Sequence, residues 1–281
     1  MDAAAGFCPC RAQSRLHSLP STLIPHRYSA GGAADSQCDG ECQAGFYCPA
    51  ASTKPDQKPC GSPAFVCPPG VASPVPVDAG KYSGPLSAPP TMRTEALMCA
   101  IGHACSGNGH MTACPAGKWG GESGLSDTAN CDGDCSAGRY GTAPGQTTSQ
   151  CEGPCAAGYY CVAGSVAPDA APCPAGRWGG VGEVNASCSG ECRAGFACPP
   201  ASTSPTQRPC GGTSVYCPPG SGAAVPAPAG YYTVPEVAGS GEVTRTGVVL
   251  CSIGSYCPGD GIRHLCPSGT YVEFAPERCS S

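Results

Sequence analysis

Residues 155–188, CAAGYYCVAGSVAPDAAPCPAGRWGGVGEVNASC, form the unit from which the rest of the chain reads as copies, contractions and losses. The unit holds four cysteines and two starts of the form C-x-x-G-x-aromatic, with very few aliphatic side chains. Since glycine supplies the positive φ of a tight turn, each start predicts a short β-hairpin. Covalent crosslinks, rather than a hydrophobic core, are expected to hold such a unit together.

The composition of the whole chain indicates a disulfide scaffold. Leu, Ile, Val and Phe make up about an eighth of the 281 residues, below the roughly 20 % that is typical of a packed core. The 41 Gly and 32 Pro alone would favour disorder, but 25 cysteines argue against it and predict an oxidising compartment. The net charge of −5 is unclustered, so it favours neither nucleic acid nor an anionic membrane as partner.

The N-terminus, MDAAAGFCPCRAQSRLHSLPSTL, lacks the apolar stretch of a signal peptide, and the sequence has no apolar run long enough to span a bilayer. This conflicts with the oxidising compartment that the cysteines predict. We therefore expect the sequence to be a fragment of a longer secreted or membrane-anchored protein. Residues 1–37 are expected to form a flexible lead-in.

Self-similarity at two scales gives the predicted organisation. Residues 38–70 recur at residues 188–220 with every cysteine in register, so one long cassette is duplicated. The predicted segments are 38–98 (cassette A with a Pro-rich spacer), 99–150 (cysteine-rich hairpin modules), 151–187 (the best-preserved four-cysteine unit), 188–250 (the copy of cassette A with its spacer) and 251–281 (a terminal four-cysteine unit). The expected fold is an elongated tandem array of small disulfide-rich modules with short β-hairpins, little helix and no large hydrophobic core, in which each module touches mainly its neighbours.

Lost cysteines suggest how the remaining ones pair, although spacing alone does not give connectivity. In one degenerate hairpin, Val77 and Glu95 replace two cysteines together, and in its copy Ala227 and Gly247 do so. This joint loss predicts four hairpin disulfides: Cys114–Cys131, Cys135–Cys151, Cys173–Cys188 and Cys266–Cys279. The first and second cysteines of each full set then close small loops: Cys99–Cys105, Cys155–Cys161 and Cys251–Cys257. The alternative is an interleaved pattern, first with third and second with fourth.

The connectivity of the cassette cysteines stays open, with a preference for the interleaved pattern. These residues are Cys42, Cys48, Cys60 and Cys67, and their copies Cys192, Cys198, Cys210 and Cys217. Cys38 is expected to bond Cys8 or Cys10. Because the total is odd, at least one thiol stays free or bonds another chain, and Cys8 or Cys10 is the candidate for an intermolecular disulfide.

The arrays CPAGKWGGESGLSDTANCDGDC and CPAGRWGGVGEVNASCSGEC resemble the ephrin-receptor-like cysteine-rich repeats of large extracellular proteins, which are similar to modules of tumour necrosis factor and growth factor receptors. The resemblance covers roughly residues 38–279. It implies an elongated, disulfide-stacked ectodomain and says little about the ligand. Val77, Ala227 and Gly141 depart from the family pattern.

Metal sites and catalysis are weaker interpretations of the same residues. The C-x3-C pairs at Cys38, Cys131, Cys151 and Cys188 have spacing that structural zinc allows, but no His pair follows them. The turn acids Asp39, Glu41, Asp132 and Asp134 offer too few oxygens for calcium. His103 and His110 flank Cys105, yet a cysteine in a disulfide is no nucleophile. We therefore expect no metal, no cofactor and no enzymatic activity.

The function predicted from the sequence is a structural or adhesive one. The chain would be part of an extracellular or cell-surface protein, where it acts as a spacer and binds extracellular proteins or glycans. The alternatives are the ligand-binding ectodomain of a membrane receptor and an intracellular metal-binding protein. Trp119, Trp178 and Tyr271 are interpreted as covers for disulfides. Asn185, in Asn-Ala-Ser, is a candidate for N-glycosylation if the chain is secreted.

Overall fold

The computed structural model describes residues 27–28, 40–49, 52–235, 242–271 and 278–280. Within these ranges the chain forms 26 short β-strands and no helix. Each odd-numbered strand pairs antiparallel with the strand that follows it, which gives 13 two-stranded hairpins. The predicted tandem array of disulfide-rich hairpins is confirmed. No described helix is long and apolar enough to cross a membrane.

The hairpins are, in chain order, β1 (Arg27–Tyr28) with β2 (Gly40–Glu41), β3 (Phe46–Tyr47) with β4 (Lys58–Pro59), β5 (Phe65–Val66) with β6 (Val75–Pro76), β7 (Lys81–Gly84) with β8 (Glu95–Met98), β9 (His103–Ala104) with β10 (Thr112–Ala113), β11 (Lys118–Trp119) with β12 (Gly133–Asp134), and β13 (Arg139–Tyr140) with β14 (Gly153–Pro154). They continue with β15 (Tyr159–Tyr160) and β16 (Ala171–Pro172), β17 (Arg177–Trp178) and β18 (Gly190–Glu191), β19 (Phe196–Ala197) and β20 (Arg208–Pro209), β21 (Val215–Tyr216) and β22 (Val225–Pro226), β23 (Tyr231–Pro235) and β24 (Arg245–Leu250), and β25 (Ser255–Tyr256) and β26 (His264–Leu265). A terminal turn follows, in which Tyr271 pairs with Ser280.

The described residues divide into two compact units. One contains the described residues up to Gly133 together with Pro144–Thr148, and the other contains Asp134–Ala143 and the described residues from Ser149 onward. This division does not follow the six segments predicted from the sequence, and the boundaries of those segments stay predictions.

The buried interior consists mostly of cystine. Of the 22 buried hydrophobic residues in the described ranges, 17 are cysteines, and the others are Val66, Val77, Ala104, Ala197 and Ala227. Each two-residue strand can bury only one or two side chains, so the hairpins have no room for an aliphatic core. The disulfides therefore supply the stability that burial of apolar side chains supplies in an ordinary domain.

All 22 described cysteines lie in 11 disulfides, which fall into two classes. Narrow disulfides join the first residue of a hairpin to the residue just after its first strand: Cys42–Cys48, Cys60–Cys67, Cys99–Cys105, Cys155–Cys161, Cys192–Cys198, Cys210–Cys217 and Cys251–Cys257. Wide disulfides close a longer loop of 13 to 17 residues' separation: Cys114–Cys131, Cys135–Cys151, Cys173–Cys188 and Cys266–Cys279. The seven pairs that the sequence predicted are all present.

The preference for interleaved cassette cysteines is wrong. Cys42 bonds Cys48 and Cys60 bonds Cys67, and the copies at residues 192–217 do the same. The tight turn after the first cysteine returns the chain, so the paired Cα atoms of Cys42 and Cys48 lie 5.9 Å apart. This separation suits a disulfide, and each hairpin closes on itself. Cys8, Cys10 and Cys38, with their predicted bonds, lie outside the described residues.

Candidate interaction surface

Backbone hydrogen bonds repeat from one hairpin to the next. The N–H of Gly158 donates to the carbonyl of Gly179 in the following hairpin at 2.9 Å, and the N–H of Cys173 donates back to the Gly158 carbonyl at 2.8 Å. The same two bonds join Gly176 to the hairpin that begins at Cys192, at 2.8 and 2.9 Å. Since only main-chain atoms take part, hairpins of different sequence can stack in the same way.

In seven hairpins the glycine of the C-x-x-G start also meets the hairpin two positions further along. A Cβ atom on Gly102 would lie 2.5 Å from the carbonyl oxygen of Gly145, and one on Gly138 would lie 2.5 Å from that of Gly182. Gly158 and Gly176 approach the carbonyls of Ala201 and Gly220 in the same way. Glycine is therefore required both for its positive φ and for this close approach. These hairpins therefore touch their second neighbours along the chain, which the sequence did not predict.

Three of the four units with wide disulfides have glycine where the others have their second cysteine, namely Gly120, Gly141 and Gly179, whereas the unit that begins at Cys266 has Val272 there. A Cβ on Gly179 would lie 2.5 Å from the Sγ of Cys173 and 3.3 Å from the Cβ of Cys188. A Cβ on Gly120 would lie 2.8 Å from the Sγ of Cys114. The wide disulfide thus lies directly on this glycine, and a side chain there would displace it. This contact explains the glycine at positions 120 and 179.

In two hairpins with wide disulfides, the aromatic residue at the end of the first strand packs on a glycine of the facing strand. Trp178 pairs with Gly190, and Tyr140 pairs with Gly153. A Cβ atom on Gly190 would lie 3.9 Å from Nε1 of Trp178. The half-buried faces of Trp178 and Tyr140 leave part of each ring at the surface. The interpretation of Trp119, Trp178 and Tyr271 as covers for disulfides stays a prediction.

Among the hairpins from β3–β4 to β25–β26, two have no disulfide, β7–β8 and β23–β24. Val77 and Ala227 stand at their first positions, and the residues after the glycine turn that match a second cysteine are Ser83 and Thr233, which are 1 % and 2 % exposed. The Thr233 hydroxyl donates to the carbonyl of Thr213 at 2.6 Å. Serine and threonine thus keep the small buried volume of cysteine and replace its bond with a hydrogen bond.

The uncrosslinked hairpins also have longer ladders. Four residue pairs join β7 and β8, and five join β23 and β24, whereas the crosslinked hairpins have two. In each, an arginine six residues before the next cysteine donates across the ladder: Arg245 Nη1 to the Thr233 carbonyl at 3.1 Å, and Arg93 Nη1 to the Pro85 carbonyl. Glu95 and Gly247, where cysteines are lost, lie within these ladders.

The carboxylates of the loops accept hydrogen bonds from backbone N–H groups of the turns. Hydrogen bonds, first from the backbone N–H of Asn130, lower the pKa of Asp127, and the hydroxyl and N–H of Thr142 lower the pKa of Glu152. At Asp260, burial acts to raise the pKa, but hydrogen bonds from Ile262 N–H and from His264 outweigh it and the pKa is lowered. His264 Nε2 lies 2.6 Å from Asp260 Oδ2.

The residues considered for metal or nucleophilic chemistry occupy other roles in the structure. The members of the C-x3-C pairs that are described bond partners outside those pairs, as when Cys131 bonds Cys114 and Cys135 bonds Cys151. Cys105 bonds Cys99. Asp132 accepts a hydrogen bond from the Gly121 N–H at 2.6 Å. Across the described ranges, no cluster of three His, Cys, Asp or Glu side chains could hold a metal ion.

The glycosylation candidate lies on an exposed loop of the β17–β18 hairpin. Asn185 and Ser187 are both exposed, and the Asn185 Oδ1 accepts the backbone N–H of Ser187 at 2.9 Å. The same turn occurs at Asp127, which accepts the N–H of Ala129 at 2.9 Å. The acceptor side chain is therefore at the surface in a turn that the array repeats.

No protein-family model and no curated protein sequence matches the chain. The exposed side chains of the hairpins, on a backbone held by disulfides and main-chain bonds, form a surface that can vary without altering the fold.

Proposed function

We propose that the chain is an extracellular or cell-surface repeat region that acts as a spacer and presents a surface for binding other proteins. The observation that supports this most is that every described cysteine is in a disulfide and that cystine supplies most of the buried interior. Such an interior is stable only where thiols are oxidised, which is the condition outside the cell. The proposed role is non-catalytic.

The proposal includes membership of the ephrin-receptor-like cysteine-rich repeats. Support comes from the recurring hairpin with its C-x-x-G-x-aromatic start, and from C-x3-C linking one wide disulfide to the next hairpin. The uncrosslinked hairpins beginning at Val77 and Ala227 depart from that pattern, and each compensates with a longer ladder. As part of a larger protein, such a repeat region would bind extracellular proteins or glycans.

Location and redox state test the proposal together. Antibodies against the purified chain should label intact, unpermeabilised source cells. Iodoacetamide without reductant should leave the 22 described cysteines of the native protein unmodified, as read by mass spectrometry. A non-reducing peptide map should recover Cys155 linked to Cys161 and Cys173 linked to Cys188. Cytosolic labelling with alkylation of most cysteines would instead support the metal-binding alternative.

N-glycosylation at Asn185 is part of the same proposal. Expression through the secretory pathway of a eukaryotic cell should give a chain whose mass falls on treatment with a peptide N-glycosidase, and Ser187→Ala should abolish this change. As a matched control, Asp127→Asn with Ala129→Ser builds the same sequon in the corresponding turn and should add one glycan. An unchanged mass for the native chain, with a shift for the control, would exclude Asn185 as an acceptor.

A further inference from the structure

Two arginines have a buried nitrogen atom without a hydrogen-bond partner. Arg93, in the β7–β8 hairpin, is 8 % exposed, and Arg245, at the start of β24, is half-buried. In both side chains Nε is buried and makes no hydrogen bond, and no other described side chain has a buried nitrogen or oxygen in this state. Since nearly all buried polar atoms of proteins are bonded, these two nitrogens call for a ligand or another explanation.

Each guanidinium is held on one side only. Nη1 of Arg93 donates to the carbonyl of Pro85, and Nη1 of Arg245 donates to the carbonyl of Thr233 at 3.1 Å. In both residues Nη2 has no partner within the described ranges and is not fully buried. The edge formed by Nε and Nη2 therefore presents two parallel N–H groups, which is the geometry that a bidentate oxyanion accepts.

The positive charges of these two guanidinium groups have no acidic partner among the described residues. Arg177 pairs with Glu191, for example, but no described carboxylate forms an ion pair with Arg93 or Arg245. Burying a charge is costly unless it is paired and hydrogen-bonded. Both arginines stand six residues before a hairpin cysteine, Cys99 or Cys251, so the arrangement occurs in both copies of the cassette.

We propose that the Nε–Nη2 edge of Arg93, and likewise that of Arg245, binds a sulfate group, either the inorganic ion or a sulfate ester of a glycan. Two sulfate oxygens accept the Nε–H and the Nη2–H, while Nη1 stays on its carbonyl. The group enters at Nη2, which is not fully buried, and a small movement of the hairpin loop brings it onto Nε. Binding of the inorganic ion does not depend on the proposed extracellular role, whereas the glycan ester as its natural source rests on that role.

The two sites differ in one neighbouring residue. The exposed Glu95 stands two residues after Arg93, whereas Gly247 stands at this place after Arg245. Because the Glu95 carboxylate repels an anion, the Arg245 site should bind sulfate roughly threefold more tightly than the Arg93 site.

Titration of the full, oxidised chain with potassium sulfate tests the proposal. Calorimetry should count two sulfates per chain. Relative to potassium chloride at equal ionic strength, about 20 mM sulfate should raise the melting temperature by about 3 °C, because the ligand binds only the folded chain. Hydrogen exchange should slow in peptides that cover residues 85–98 and 242–250.

Substitutions assign the two sites. Arg93→Lys and Arg245→Lys keep the charge and a donor for the carbonyl but lose the two parallel N–H groups, so each should remove one sulfate and leave the other site as an internal control. Glu95→Gln should tighten the Arg93 site roughly threefold. Arg177→Lys, at an arginine that already pairs with Glu191, is the matched control and should change neither site.

The native chain decides the outcome even if a lysine variant does not fold. The proposal is overturned if sulfate has no saturable effect beyond that of chloride, or if both lysine variants fold and still bind two sulfates. Equal binding of acetate would also overturn it, since the edge would then take carboxylates, such as those of an acidic peptide. N-acetylglucosamine 6-sulfate, compared with N-acetylglucosamine, separates the sources. Stabilisation by the sulfated sugar alone supports the glycan ester, and stabilisation by inorganic sulfate alone restricts the site to the free ion.

Discussion

Hairpin β15–β16, closed by Cys155–Cys161, and hairpin β23–β24, which has no disulfide, show two ways to build the same unit. The first has two residue pairs and a covalent crosslink. The second has five pairs, a buried Thr233 hydroxyl and an arginine that donates across the ladder. Both stack on the next hairpin through the same glycine N–H, since Gly158 bonds Gly179 and Gly230 bonds Cys257. Closing the hairpin and stacking it are therefore separate functions, and only the closing differs.

The largest effect should come from a side chain placed under a wide disulfide. Gly179→Ala puts a Cβ 2.5 Å from the Cys173 Sγ, and the crosslinked sulfur has little freedom to move. We expect this change to lower the free energy of unfolding by about 3 kcal/mol, measured by urea denaturation with the disulfides intact.

The matched control is Gly247→Ala, in the ladder of the uncrosslinked β23–β24. No atom lies within 4 Å of the new Cβ, so the change should raise stability by about 0.5 to 1 kcal/mol through reduced backbone entropy. Equal effects of the two alanines would contradict the assignment of Gly179 to contact with the disulfide.

Giving a narrow hairpin the residues of the uncrosslinked one tests the comparison directly. Cys155→Ala with Cys161→Thr reproduces Ala227 and Thr233 in a hairpin that has only two residue pairs. Because the short ladder does not compensate, stability should fall by about 2.4 kcal/mol, the loop-closure contribution of a crosslink with a separation of 6 residues. Urea denaturation measures the loss.

The reverse exchange, Ala227→Cys with Thr233→Cys, should form a disulfide that a non-reducing peptide map detects. Its net gain should be smaller, about 1 kcal/mol, because the Thr233 hydrogen bond of 2.6 Å is lost at the same time. A loss near zero in the first pair of substitutions would mean that stacking, rather than closure, stabilises these hairpins.

A smaller effect concerns the loop residue that covers a stacking glycine. Ala201 has φ of 62°, whereas Gly124, Gly145, Gly182 and Gly220 occupy this place in other hairpins at φ of 75° to 83°. Ala201→Gly should therefore raise stability by about 1 kcal/mol, since the left-handed region strains an L residue. Ala186→Gly, on an exposed loop without positive φ, should not stabilise, and thermal unfolding compares the two. If both glycines act alike, backbone strain at Ala201 is not the cause.

The sequence predicted the hairpins because every start repeats the same turn chemistry around a glycine. It predicted the pairing of Cys173 with Cys188 because paired losses identify paired residues. The error at Cys42 and Cys48 was avoidable, since C-x5-C there matches the spacing of Cys99 and Cys105, for which a small loop was predicted correctly.

Contacts between hairpins could not be predicted in the same way. The approach of Gly158 to Ala201 spans two hairpins and involves only backbone atoms, so it leaves no residue preference except glycine, which the turn already explains. The exposure of Gly254 could not be predicted either, because Gly254 stands in the same C-x-x-G motif as the buried glycines.

The smallest effect separates the two kinds of hairpin by pH. The pKa of Asp260 is lowered in the folded state, where Ile262 N–H and His264 bond it in the loop of β25–β26. Because the unfolded state binds this proton more tightly, the stabilisation is present above the unfolded pKa and is lost as pH falls through the folded pKa, below about pH 4. Asp260→Asn should flatten this acid dependence in thermal unfolding, while Asp78→Asn, an exposed acid of the β7–β8 hairpin, should leave it in place. An unchanged slope in Asp260→Asn would mean that the loop is already open where the carboxylate titrates.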